Sequence, residues 1–125
     1  MLVRYVLLAL GVAILSGCGT KPPLTVHGKP VAAWVEALSD PSPAVRKKAV
    51  TALGFVGDAD PAAIPALIEA LEDRDAAVRG QAVLALLNLG PQARDAIPAL
   101  EQALQDTDAR VRANAAKALQ RVRGE

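Results

Sequence analysis

The sequence predicts an all-α fold, a solenoid of three stacked helix pairs. Three observations carry that expectation. Apolar residues make up 52% of the 125 residues, yet the chain holds one Phe, one Trp and one Tyr. Ala, Leu and Val therefore supply the hydrophobicity, and a chain rich in Ala and Leu favours helix over sheet. Val45-Arg46, Val78-Arg79 and Val111-Arg112 recur at one 33-residue spacing, the mark of a repeat array. Within a unit, Ile64, Leu67, Ile68 and Leu71 stand at i, i+3, i+4 and i+7, one face of a helix.

Charge and cysteine content exclude two classes. Fourteen Lys and Arg against thirteen Asp and Glu give a net charge of +1, without the basic excess on which nucleic-acid binding draws. A single Cys permits no intrachain disulfide.

The first element, residues 1–17, reads as an address. Arg4 carries its one positive charge, Val6 to Leu15 is an uncharged apolar run, and Ser16-Gly17-Cys18 follows. The run is about half the ~20 residues that a spanning helix needs, and the order of charge, apolar stretch and small residues is that of a secretory signal. Leu15-Ser16-Gly17-Cys18 resembles the lipobox of bacterial lipoprotein signal peptides, with the only Cys in the invariant place. The resemblance implies cleavage before Cys18, a diacylglycerol on its sulfur and fatty acylation of the new amine. It also implies a place in the cell envelope, at the outer membrane if the organism has one, since Gly19 is not the Asp that favours inner-membrane retention. The alternative is an ordinary secretory signal followed by a stray Cys. Cleavage takes Arg4 away and leaves a neutral chain. Residues 18–29 then read as a flexible tether, stiffened by Pro22-Pro23, that sets the domain roughly 30 Å from the membrane at ~3.1 Å per residue.

Residues 30–124 form the repeat domain, with units at about 30–57, 61–90 and 93–123. Aligned at the common offset, Ala49, Ala82 and Ala115 coincide, as do Leu53, Leu86 and Leu119, and Trp34, Leu67 and Leu100. Each unit holds two helical patterns separated by a polar turn ending in Ser42, Asp75 or Asp108, all good N-caps. Pro43 suits a first helical position. Pro65 and Pro98 belong in first turns, since an interior Pro costs ~3 kcal/mol, and Pro61 makes the helix near it start late or bend. Gly57 and Gly90 punctuate the second helices. One such pair cannot hide its apolar stripe, whereas stacked pairs share a core.

The Val-Arg pairs, Pro65 and Pro98, and the column Asp40, Asp73 and Asp106 resemble HEAT repeats, in particular the short HEAT-like type also found in phycobilisome lyase proteins. The likeness covers nearly all of residues 30–123 and implies a right-handed α-α solenoid. The first unit departs from it by having Ala32 where the others have Pro65 and Pro98. The resemblance further implies that Asp40, Asp73 and Asp106 with Arg46, Arg79 and Arg112 form a ladder between repeats.

Catalytic residues are scarce. His27 is the one His and falls in the tether, away from the repeats; Ser39 and Ser42 sit in the first inter-helix turn, where capping explains them. Asp73-x-Asp75 and Asp106-x-Asp108 lack the Gly and terminal Glu of a calcium loop. No His or Cys cluster has zinc spacing, and no phosphate loop is present. The expectation is a non-enzyme without metal or cofactor.

A membrane-anchored protein–protein interaction or scaffolding module follows. A structural or accessory subunit of an envelope complex, or an accessory to a tetrapyrrole lyase, are the alternatives. In HEAT arrays the second helices line the concave side, so the partner face is expected on the columns turned away from Val45, Ala49 and Leu53. These are Lys48, Gln81 and Asn114; Thr51, Leu84 and Lys117; and Phe55, Asn88 and Arg121. Their basic balance favours an acidic protein or peptide.

Overall fold

The computed structural model describes residues 21–125. The signal segment, Cys18 and the start of the tether lie outside the described residues. A short antiparallel hairpin comes first, β1 (Thr25–Val26) paired with β2 (Lys29–Pro30). Three helix pairs follow: α1 (Val31–Ala37) with α2 (Pro43–Val56), α3 (Ala63–Ala70) with α4 (Ala76–Leu89), and α5 (Ile97–Ala103) with α6 (Ala109–Arg123). Short 3₁₀ segments, Gly57–Ala59 and Gly90–Ala96, link the pairs. The long second helices stack in a row, α2 on α4 and α4 on α6, making the chain an all-α solenoid.

Local chemistry sets the helix ends. Asp75 accepts from the amides of Ala77 and Val78, and Asp108 from those of Arg110 and Val111, each satisfying donors a helix start leaves orphaned. Ser42 departs from expectation. It holds the cap position of α2, but its hydroxyl caps nothing; its amide instead donates to Asp40 Oδ1 at 2.8 Å. Pro43 follows at the first helical position, removing one donor in need of a partner. Pro65 and Pro98 fall in first turns, and α3 begins at Ala63, after the turn that holds Pro61.

The core runs the length of the stack. Leu53, Leu67, Leu86 and Leu100 are fully buried, and shortening such a side chain to Ala costs ~2–5 kcal/mol. Small residues let α2 and α4 approach closely: a Cβ on Gly54 would stand 3.0 Å from that of Ala85. Val45 is a correction. Val78 and Val111 are 0% and 1% exposed, whereas Val45 is 37% exposed. Val111 packs back against Gly80 of the preceding repeat; Val45, in the first repeat, has no helix pair before it among the described residues.

The tether is a second correction, because its C-terminal half folds. His27 (φ 51°) and Gly28 (φ 75°) make a two-residue turn of positive φ, the geometry that suits a tight hairpin. Trp34 Nε1 donates to Val26 O at 3.0 Å, and the Val31 amide donates to Leu24 O at 3.2 Å. Val26 packs on the core. The folded part thus starts at Leu24, inside the expected tether.

Candidate functional site

Two sets of side chains sort into different roles. The first is the ladder. Arg46 Nη1 donates to Asp40 O and Pro41 O at 2.9 and 3.0 Å, while Nε and Nη2 grip Asp73 at 2.9 and 3.1 Å. Arg79 repeats the device one unit on, holding Asp73 O at 2.9 Å and both oxygens of Asp106 at 2.8 and 3.0 Å. Each Arg therefore ties its own inter-helix turn to that of the next repeat through a bidentate pair, the strong form of the contact. Burial opposes ionisation of Asp73 and Asp106. The hydrogen bonds from Arg46 and Arg79, and from the amides of Asp75 and Asp108, outweigh it and hold both carboxyls below the usual Asp range.

The ends of the ladder are half-rungs. Asp40 takes the Ser42 amide and no guanidinium among the described residues. Arg112 donates to Asp106 O and Thr107 O at 2.7 and 3.3 Å and meets no carboxylate among the described residues. A hollow of about 410 Å³ lies beside the second rung, lined by Asp73, Arg79 and Asp106, whose polar groups are engaged with one another. The Asp-x-Asp turns spend their carboxylates on amides and arginines in the same way.

The second set is the face of the second helices. Lys48, Phe55, Leu84, Asn88, Lys117 and Arg121 are exposed, and Thr51, Gln81 and Asn114 are half-buried. Two shallow hollows bring most of them together. One, about 180 Å³, lies between α2 and α4 and is lined by Thr51, Gly54, Phe55, Gln81, Ala85 and Asn88. The other, about 320 Å³, lies between α4 and α6, with Lys47, Gly80, Gln81, Leu84, Arg110 and Asn114 among its walls. Gln81 belongs to both. Lys48, Lys117 and Arg121 line neither; Arg121 lies over Gly90, its Cγ 3.8 Å from where a Cβ would stand. The columns overlook Lys47, Gly80 and Arg110. Gly80 carried a signal, since Gly inside a helix marks a site where a missing side chain matters.

His27 is a further correction. Its ring is not away from the repeats but meets Trp34 edge-on at 6.5 Å and Phe55 at 6.4 Å. Ser42 starts α2 and Phe55 nearly ends it, so roughly 20 Å of helix at ~1.5 Å per residue separates His27 from that serine. Among the described residues no group of three His, Cys, Asp or Glu converges as metal ligands do.

Comparison with known families gives three matches. A model described as HEAT repeats matches residues 64–125, one described as HEAT repeat matches residues 31–58, and one described as PBS lyase HEAT-like repeat matches residues 45–73. Together they reach from α1 to the end of the chain. No curated protein matches it.

Proposed function

We propose that this chain, an array of HEAT repeats of the kind that generally mediates protein–protein interaction, is a non-catalytic module held on an envelope membrane by lipid on Cys18. The bound partner is an acidic protein segment lying along the second helices. The observation that carries this reading is the pair of hollows joined at Gln81. They line up across three helices and offer apolar contact at Leu84, amides at Gln81, Asn88 and Asn114, and cations at Lys47 and Arg110. Such a mixture of apolar and hydrogen-bonding groups suits a peptide chain, and the cations favour acidic partners in a salt-sensitive way. The separation of His27 from Ser42 supports a non-catalytic role. The sole Cys directly after Leu15-Ser16-Gly17 supports the anchor, and diacylglycerol with an amide-linked chain meets the need for two or more acyl chains in stable attachment.

Two measurements on the full chain test this. Metabolic labelling with a fatty acid should mark the wild type and not Cys18→Ala; undiminished label in the variant removes the anchor. Affinity capture from detergent-solubilised membranes should recover a partner that the double variant Lys47→Glu, Leu84→Asp, both in the wall of the hollow between α4 and α6, loses, with an unchanged melting curve. Capture at full strength by the variant moves the site to the outer helices or the turns.

A further inference from the structure

The folded start of the repeat domain brings the array close to its anchor. Six residues lead from Cys18 to Leu24, a reach of at most ~20 Å even fully extended, and Pro22-Pro23 shortens it towards polyproline spacing. The hairpin in which this linker ends packs on α1 and α2, so the first repeat is the part of the array held at the membrane.

That end carries an uncovered apolar face. Among the described residues the large apolar side chains that stand exposed are Leu24 (43%), Val45 (37%), Phe55 (74%) and Leu84 (39%), and all but Leu84 lie at the entry to the hairpin or in the first repeat. Val45, Lys48 and Phe55 stand exposed along one side of α2 through their spacing of three and seven, with Ala52 buried between them. The counterparts of Val45 in later repeats are buried against the repeat before them. At the front of the array no preceding helix pair among the described residues covers this side. Lys48 is exposed on the same side of α2, Lys29 is exposed in the hairpin with its Nζ 5.0 Å from the Trp34 ring centroid, and Lys21 is exposed in the linker that leads into it. Aromatic and aliphatic side chains rimmed by lysines are the composition that settles at a bilayer interface, where each Lys gains from anionic headgroups.

We propose that the front end of the array, through Leu24, Val45 and Phe55 with Lys21, Lys29 and Lys48, docks on the surface of an anionic bilayer. The array then stands on its first repeat, the bilayer takes the Phe55 end of the hollow between α2 and α4, and the partner is left the rest of the face, from Gln81 to the hollow between α4 and α6. The proposal rests on the lipid anchor at Cys18 proposed above.

The test uses full-length protein reconstituted into vesicles of phosphatidylethanolamine and phosphatidylglycerol, some of the lipid brominated just below the headgroup. Single variants Phe55→Trp and Gln120→Trp are compared with Trp34 kept in place. Docking predicts quenching of the added indole at position 55 and none at position 120, on the last helix. Changing Lys29 and Lys48 to Glu, or raising the salt, should weaken that quenching. Equal emission from the two variants, in protein whose mass carries the lipid, overturns docking and leaves the anchor standing. A mass without lipid overturns both. Concentration-dependent association abolished by Phe55→Asp, with no quenching, would assign the face to a second copy and overturn the proposal.

Discussion

Gly57 ends α2 at φ 56° and ψ −131°, in a region that a side chain enters only with strain. Gly90 ends α4 at nearly the same angles, φ 60° and ψ −134°. The surroundings differ. A Cβ at Gly57 would press on Leu89 Cδ2 at 2.8 Å, whereas the nearest atom to one at Gly90 is Arg121 Cγ at 3.8 Å. Both Gly→Ala changes should destabilise the fold by about 1–3 kcal/mol through backbone strain. Gly57→Ala should cost more, because Leu89 must also move. Thermal melts followed by circular dichroism on protein lacking residues 1–18 check the order; an equal loss at both sites would make the strain the sole cause. Trp34 makes a similar point about single residues. Its indole N–H finds its acceptor in Val26 O, as a buried Trp requires, and that one bond draws part of the expected tether into the fold.

Between elements, the Arg–Asp pairs make stability depend on acid. Asp73 and Asp106 titrate below their ordinary value in the fold, so the folded state holds its charge to lower pH than the unfolded chain. Their contribution is fully present above the unfolded Asp value of ~4 and is lost as pH falls through the lower folded values. Melting temperature should accordingly drop below about pH 4, and the double change Asp73→Asn, Asp106→Asn should flatten that drop while lowering stability at neutral pH. Urea titrations at a series of pH values read both effects. These elements were largely legible in the sequence. The 33-residue spacing gives each helix pair, its caps at Asp75 and Asp108, and the ladder columns, because repetition exposes any position that packing constrains. The hairpin was not legible: strands of two residues have no period to detect, and His27-Gly28 between Val26 and Lys29 was the one local sign of a turn. Exposure at the ends was equally hidden. Aligned columns treat Val45 and Val78 as equals, and only the stack distinguishes a residue with a repeat before it from one without. The partner face was read as columns, but the hollows depend on Gly80 and Lys47, whose meaning comes from the helix across the groove.

Across the whole molecule, each repeat touches mainly its neighbours, so stability is close to a sum of units and the interfaces between them. The ladder gives that sum a direction, since Arg46 and Arg79 each reach forward 27 residues to an Asp. The block from Asp58 to Gly90 contains one acceptor, Asp73, and one donor, Arg79. Inserting a second copy of it after Gly90 should give three complete rungs, a fourth helix pair and a higher melting temperature, measurable in the same form lacking residues 1–18; a lower one would mean that neighbouring repeats are not interchangeable. A slip in copying the gene that doubles this block would therefore add no half-rung to the two at the ends of the ladder. Reading frame, helix phase and ion pairing all close on the same 33-residue step, which makes length the trait of this protein that heredity can change most cheaply.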